Sequence, residues 1–421
     1  MDLRMFIKSD IVIKEKASTE YEIPRRLFED PDKTILFENV EGSDFRVVGN
    51  LCTSRNGLCR ALGTSKEDYI KHVLSAIENP IDPAVVENGE CQEIVLETDL
   101  SKIPILKHFA RNGGRYITSG IVIADDEEFG RNVSIHRMMV IGRKRLAARL
   151  VERHLHEYHQ RAEECGEPLE VAIAIGVHPT IFFASAYSVS KGYDEFRLAS
   201  SLAGKPLELV ECKSVDLQVP RYAEIVLEGK MLPHERTDEG PFMDITKTYD
   251  IVRKQPIIEI SRITHRKDPI YHALLPSSKE HKIFMGMPRE VSIFGSVQKV
   301  ADVSNVCLTD GGCNWLHGVV SIKKEKSTDV RRVIEAALDG HPSMKHVVIV
   351  DDDIDIFDPS EVEYALATRF QGDRDMVVIK GVKGSSLDPS AGEGAITTKL
   401  GFDATKPLDN LDTFEMVGID K

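Results

Sequence analysis

The spacing of apolar residues divides this chain into three stretches. Over 1–105 helical and strand periods mix. Residues 45–49 are strand-like, and Thr64-Ser65-Lys66-Glu67 has capping-box form, opening an amphipathic helix through Ile70, Val73, Leu74 and Ile77. Asn79-Pro80 stops that helix, and 99–104 reads as a boundary. Over 106–295 strand signals dominate: 116–124, entered from Asn112-Gly113-Gly114, then 133–141, the continuously apolar 171–176, 223–232 and 257–264. The loop 125–131 joins the first two as a hairpin. The stretch 144–165, rich in Arg, Glu and His, is expected to form one long helix. From 296 onward α and β alternate again: a strand at 319–323, a helix at 328–338 closed at Gly340, a strand at 346–350, and a helix capped by Ser360-Glu361-Val362-Glu363. The tail after Thr405 lacks strong periodicity. No repeat or low-complexity segment interrupts the pattern. The expected class is α/β (α+β): an N-terminal α/β unit at 1–105, a barrel- or sandwich-like β unit at 106–295, and a C-terminal α/β unit at 296–421.

Composition narrows the function classes. With 42% hydrophobic and 29% charged residues over 421 positions, the chain is an ordinary globular sequence with volume for real cores. A formal net charge of −14 argues against a broad nucleic-acid surface or a polybasic membrane anchor. No apolar run reaches membrane-span length, and the first ten residues are too charged for a signal-peptide core. Seven cysteines without a C-x-x-C pair fit reduced thiols in a cytoplasmic protein. Cys307, Cys313 and His317 are a remote metal alternative to buried free thiols.

The chemistry-bearing stretch is Asp238-Glu239-Gly240-Pro241-Phe242-Met243-Asp244. Three carboxylates flank a Gly-Pro pair that breaks any helix, so Glu239 and Asp244 can converge. Two converging acids raise the pKa of at least one, making a proton donor available near neutrality. Taken alone, the motif also reads as an acidic surface turn. Asn132-Val133-Ser134-Ile135-His136-Arg137 alternates: as a strand it places Asn132, Ser134 and His136 on one face and Arg137 among apolar residues on the other. A buried arginine needs an anion, which is Glu239, Asp244 or a substrate carboxylate if it is not a plain structural pair. In Arg153-His154-Leu155-His156-Glu157-Tyr158-His159, His156 and His159 share a helical face while His154 points elsewhere, and the default is a solvated face. Two further patterns are set aside. Asp351-Asp352-Asp353-Ile354-Asp355 lacks the glycine of a calcium loop and reads as a solvated strand end, and Gly392-Glu393-Gly394 lacks a third glycine.

Taken together, Asn132 to Arg137, His154, Tyr193-Asp194-Glu195-Phe196 and Glu239 to Asp244 resemble the UbiD-like family of reversible decarboxylases. The stretch from Pro220 to Gly229, Leu316-His317-Gly318-Val319-Val320-Ser321-Ile322 and Gly401-Phe402-Asp403-Ala404-Thr405 extend the likeness through almost the whole chain. The resemblance implies a central split β-barrel at 106–295 that binds prenylated FMN, and a C-terminal unit used in oligomerisation. It implies a divalent metal, usually Mn2+, on Asn132, His154 and Glu195, and K+ near Ala184-Ser185-Ala186-Tyr187. Ser134, Ile135, Arg137 and Ser185 join Asn132 and His154 as cofactor-binding residues, with Lys345 or Lys399 as candidate phosphate contacts. Oxygen and imidazole donors suit such an ion.

The catalytic trio implied by the resemblance is Arg137, Glu239 and Asp244. Loss of carbon dioxide from an sp2 carbon needs an electron sink that only a cofactor provides. Arg137 would hold the leaving carboxylate, Asp244 would deliver a proton, and Glu239 would orient Arg137. Two departures stand out: Met243 replaces a small residue common before the last acid, and the chain ends soon after Thr405, where many relatives continue into an assembly helix. The expected partners are a small unsaturated carboxylic acid, a flavin prenyltransferase that supplies the cofactor, and a second copy of the chain, with no nucleic acid and no membrane. A compact chain of this kind resembles the archaeal members that convert trans-anhydromevalonate 5-phosphate to isopentenyl phosphate in isoprenoid synthesis. The alternatives are decarboxylation of an aromatic acid such as a polyprenyl-hydroxybenzoate, a non-catalytic flavin-binding protein, and a flavin-free metal hydrolase.

Overall fold

A computed structural model describes residues 1–414 of the chain. It divides into two compact units, Met1–Phe284 and a second that begins at Met285. The division falls inside the helix Lys279–Val297, whereas the sequence places it near 295. The segment 99–104, read as a boundary, is a short 3-10 turn, Leu100–Lys102, within the first unit. No break follows it, because the N-terminal sheet borrows a late strand. Its order is Ile11–Ile13, Ile35–Phe37, Arg46–Gly49, Ile270–Ala273, and the last pairs in parallel with Arg46–Gly49.

The centre of the first unit is an antiparallel sheet. Its order is Tyr116–Ile117, Met138–Val140, Arg145–Ala148, Arg253–His265, Ile225–Glu239, Leu169–Ile175, Ile121–Asp126, Gly130–Ile135, with Ile94–Leu96 added beside Arg253–His265. The apolar strand Leu169–Ile175 sits near the middle of this order, where both faces are covered and alternation is unnecessary. The hairpin expected at 125–131 joins Ile121–Asp126 to Gly130–Ile135, with Gly130 in the left-handed region that closes it.

Two strands expected to be continuous are broken. The first is interrupted at 118–120, where the Thr118 and Ser119 hydroxyls donate to the carbonyls of Leu274 and His272. The second is interrupted at His136-Arg137. Both breaks join strands from opposite ends of the sheet order. Ile135 and Met138 are three peptide units apart, so their Cα atoms can be separated by about 11 Å at most. The sheet therefore curls until its ends approach, yet among the described residues no hydrogen-bonded strand pairing closes it. That is the physical content of the expected split barrel, and it leaves Arg137 at the seam.

The long helix expected over 144–165 is a correction. Arg145–Ala148 is a strand paired with Met138–Val140 and Arg253–His265, and the helix runs only over His154–Glu164. Leu146, Ala147 and Ala148 are buried, so strand pairing over a core overrides their helical propensity. The helix expected to open at Thr64 also starts late, at Tyr69; Ser65 caps the preceding turn by accepting from the Asp68 N–H at 3.1 Å.

The second unit carries a five-stranded sheet: Asp302–Leu308, His317–Lys323, His346–Asp351, Ile396–Ala404, Met376–Lys383, parallel in the middle and antiparallel at both edges. Beyond the end of Lys279–Val297, its α-helices among the described residues are Val330–Gly340 and Pro359–Arg369. Asp358 caps the latter, accepting from the Ser360 N–H at 2.8 Å, in place of the expected Ser360; Pro359 occupies the position that lacks a need for its N–H. The acidic run is not simply solvated, since Asp351 and Asp353 pair with Arg369, each at 2.9 Å. The tail after Thr405 forms short turns over Leu408–Phe414, and 415–421, the end of the expected C-terminal domain, lie outside the described residues.

Candidate active site

Arg137 meets three carboxylates. Its Nε donates to Glu239 Oε1 at 2.9 Å, and Nη2 donates to Glu239 Oε2 at 3.0 Å and Asp250 Oδ2 at 2.9 Å. Nη1 donates only to Asp244 Oδ2, at 3.2 Å. Its guanidinium lies over the Phe242 ring, 4.7 Å from the centroid. Glu239 is wholly buried, while Asp244 is the most exposed of the three acids. Burial disfavours the charged form of Arg137, but the Glu239 hydrogen bonds and the acids around it outweigh that and hold its pKa above the usual value. Burial likewise raises Asp250, and the hydrogen bond from Arg253 and the Arg137 charge overcome it, leaving its carboxyl below the usual range. Arg253 also pairs with Asp250, on its Oδ1. Asp238, expected to be a solvated neighbour, is exposed and pairs with Lys254 at 3.0 Å.

The local fold explains this convergence. The strand Ile225–Glu239 ends at Glu239, Gly240 turns the chain with φ +106°, and Phe242–Met243 pairs with Tyr249–Asp250. That pairing sets Asp250 opposite Phe242. The Asn112-Gly113-Gly114 loop braces the turn from behind: Gly113 N–H donates to the Pro241 carbonyl at 2.9 Å, and a Cβ on Gly113 would lie 2.1 Å from the Gly240 oxygen. The Tyr116 hydroxyl donates to Glu239 Oε1 and accepts from the Gly240 N–H, both at 3.1 Å. The turn is also fixed at Ile245, whose carbonyl accepts from Ser277 Oγ at 2.9 Å. The Ser277 N–H in turn donates to His281 Nδ1 at 2.9 Å, so neutral His281 carries its proton on Nε2. Burial lowers the His281 pKa against the opposing pull of the Asp244 charge.

On the other side of the seam a second polar group assembles, with the facing expected from strand alternation. Ser134 Oγ lies 3.0 Å from Asn132 Oδ1 and 2.9 Å from His136 Nε2, and His136 Nδ1 lies 3.0 Å from the Arg149 carbonyl. Asn132 Nδ2 donates to Glu195 Oε1 at 3.2 Å, and Val133 N–H donates to Glu195 Oε2 at 2.7 Å. Glu195 opens the helix Glu195–Leu202, capped by Asp194. It is 3% exposed, and its burial lifts the carboxyl to about 8. His154 opens its own helix and stays half-exposed; no hydrogen bond joins it to Asn132 or Glu195. Burial lowers its pKa, as does the charge of Lys191. His159 belongs to the core, with Nε2 3.1 Å from the Leu232 carbonyl. Ser185 Oγ turns back to the Ile181 carbonyl at 2.9 Å, and Ile135 is half-buried.

Several site residues are not legible from the sequence alone. Asp250 becomes visible only once its strand is paired with Phe242–Met243, and His281 only once its helix is tied to the acid turn. Arg149 and Arg153 flank His136 without a carboxylate within 4 Å: Arg149 donates to the Leu150 carbonyl, and Arg153 to Ser188 Oγ at 3.1 Å. Arginines without a carboxylate within 4 Å are an anion-binding signal. In the second unit, Lys345 is committed to Asp388 at 2.9 Å, whereas the buried Lys399 finds only the Pro342 carbonyl at 2.6 Å.

Three domain families match consecutive parts of the chain. They are the N-terminal domain of 3-octaprenyl-4-hydroxybenzoate carboxy-lyase over 11–77, its Rift-related domain over 84–279 and its C-terminal domain over 282–404. The chain belongs to the UbiD family. Anhydromevalonate phosphate decarboxylase of Methanothermobacter thermautotrophicus is 46% identical, covering 97% of this chain and 96% of that protein. The UbiD-class enzyme HmfF from Pelotomaculum thermopropionicum, solved in complex with FMN, superposes with a TM-score of 0.94 at 39% identity, covering 97% of this chain and 94% of that one. An evolved dimeric form of HmfF in complex with prFMN gives a TM-score of 0.92 at 38% identity, covering 99% and 97%. This chain is accordingly a UbiD-family carboxy-lyase.

Asn132 and Glu195 carry donors that suit the divalent cation implied by the family. Among the described residues no three His, Cys, Asp or Glu gather as a metal cluster, so a cation site here draws on other oxygen donors as well. Asn132 provides one. Glu195 is a buried carboxylate whose hydrogen bonds come only from neutral donors, an arrangement that favours a cation nearby. The Cys307, Cys313 and His317 alternative forms no such cluster, and all seven cysteines are free thiols. No helix among the described residues is long and apolar enough to cross a membrane.

Proposed function

We propose that this UbiD-family carboxy-lyase converts trans-anhydromevalonate 5-phosphate to isopentenyl phosphate and carbon dioxide. The observation that carries the reading is the division of Arg137: Nε and Nη2 are saturated by Glu239 and Asp250, while Nη1 reaches only Asp244, the longest of its four bonds. The substrate carboxylate docks at Nη1 and displaces Asp244, which stays beside it. Glu239 and Asp250 keep the guanidinium plane fixed, so the carboxylate is held without reorganisation of the arginine. Carbon dioxide departs, and Asp244 delivers a proton to the carbon that bore it. Asp244, released from Arg137, takes the proton it delivers from solvent, beside the neutral His281 stapled to the same turn.

Prenylated FMN, when bound, supplies the electron sink that no side chain provides. Ser134, Ile135, Arg137 and Ser185 would hold it from one side, with Arg149 and Arg153 as counter-charges for its phosphate. Asn132, His154 and Glu195 would hold Mn2+, and the last carbonyls of the helix Pro179–Ala186, around 184–187, would hold K+. We assign cofactor binding to a domain spanning 106–295 and self-association to 296–421, with a homodimer as the working unit. The protein acts in the cytoplasm and takes its cofactor from a flavin prenyltransferase. A non-catalytic flavin carrier would need only the cofactor ligands, and the presence of the Arg137 carboxylate cage speaks against it. The test is a side-by-side turnover assay in which reconstituted enzyme is offered anhydromevalonate phosphate and a panel of aromatic acids. Turnover of the phosphorylated acid alone supports the reading, and activity confined to the aromatics overturns it.

A further inference from the structure

Proton accounting along Arg149, His136, Ser134 and Asn132 leads beyond the ligand set. The Arg149 carbonyl can only accept, so the atom 3.0 Å from it, His136 Nδ1, must carry a hydrogen. His136 is partly buried, and burial together with the charges of Arg149 and Arg153 lowers its pKa, so the ring holds a single proton. Nε2 is therefore bare and takes the single proton of Ser134, 2.9 Å away. Ser134 Oγ then faces Asn132 Oδ1 at 3.0 Å with lone pairs only. Once Glu195 is ionised, as a bound cation requires, the Asn132 amide cannot relieve this by turning over, because its Nδ2 then donates to Glu195 Oε1 at 3.2 Å. Two oxygens this close without a proton between them repel unless a cation sits against both. The opposite tautomer sets His136 Nδ1 against the Arg149 carbonyl, two acceptors 3.0 Å apart, away from the proposed cation site.

We infer that His136 is a positioning residue for the cation site: by fixing the Ser134 proton on its own Nε2, it keeps Asn132 Oδ1 free of a hydrogen bond and aimed as a metal ligand. The inference rests on the reading that Asn132 and Glu195 hold a divalent cation. In its absence Ser134 rotates, donates to Asn132 Oδ1 and competes with the ion.

The test is a double-mutant cycle read as Mn2+ affinity by electron paramagnetic resonance on the FMN-loaded full chain. His136→Leu is expected to weaken Mn2+ binding about 10–100-fold. The same substitution in a Ser134→Ala background, where no hydroxyl proton remains to be misdirected, is expected to change affinity by no more than about twofold. His136→Gln, which can donate to the Arg149 carbonyl and accept from Ser134, is expected to restore most of the loss and serves if His136→Leu does not fold. Equal weakening in both backgrounds, or no weakening in either, overturns the inference while leaving the cation site intact. Failure of the parent protein to bind Mn2+, with Glu195→Gln no different, overturns the cation reading itself and the inference with it.

Discussion

Glu239→Gln tests the Arg137 cage most directly. Two of the four Arg137 bonds end on Glu239, and Tyr116 adds a third contact to the same carboxylate. A glutamine keeps one acceptor for Arg137 but turns an amide NH2 toward the other donor. One charge-assisted bond, about 1.5–3 kcal/mol, is lost, and a donor is set against a donor. Asp244 and Asp250 still balance the guanidinium charge, so the cost should lie near the lower end of the roughly 3–5 kcal/mol found for a broken buried ion pair. Domain stabilities run to roughly 5–15 kcal/mol, so the variant should fold with a clearly lower urea midpoint. Its turnover should fall about 10²–10³-fold, the usual effect of removing one fixed electrostatic partner. Tyr116→Phe deletes one neutral donor and should cost only about 1 kcal/mol. Urea unfolding and carbon dioxide release, measured on both variants, check the reasoning. A Glu239→Gln protein with an unchanged midpoint and near-normal turnover would refute the claim that Glu239 holds Arg137 in place.

Other consequences can be measured separately. Asp244→Asn keeps the shape of the turn and removes the transferable proton, so kcat should drop about 10²–10⁴-fold with little change in KM; a large KM effect with normal kcat would reassign it to binding. Glu195 titrates at about 8 when folded, above its ordinary value of 4.5, because burial disfavours its charge. In metal-free protein the folded state keeps a proton that the unfolded chain has released, so stability should fall as pH rises from about 4.5 to about 8. Glu195→Gln should flatten that slope in urea titrations, and a slope unchanged by the substitution would sink the assignment. Gly113→Ala forces a methyl to within 2.1 Å of the Gly240 oxygen. It should cost about 1–3 kcal/mol by overpacking and lower turnover by shifting the acid turn; a wild-type melting midpoint would show that the brace is dispensable.

Much of the site was legible because local rules govern it. The facing of Asn132, Ser134 and His136 follows from the two-residue period of a strand, and the need of Arg137 for acids follows from the cost of an unpaired buried charge. Elsewhere propensity misled. Residues 145–148 have helical composition but lie over a core between two partner strands, and burial of Leu146 decides their state. Ser360 has a good capping side chain, yet Asp358 takes the cap because Pro359 begins the helix.

The sequence alone determined which residue types were available for decarboxylation and how each strand would face, since period and charge act over a few residues. Only the tertiary structure decided that the Gly130–Ile135 strand and the Met138–Val140 strand lie toward opposite ends of one curled sheet. That curl brings Arg137 against Glu239, Asp244 and Asp250, and it leaves Glu195 buried beside Asn132. Such meetings depend on long-range pairing and burial, which no local spacing encodes. The acid turn after Glu239 became a site for this reason: its charges are held around one arginine by strands distant in the chain.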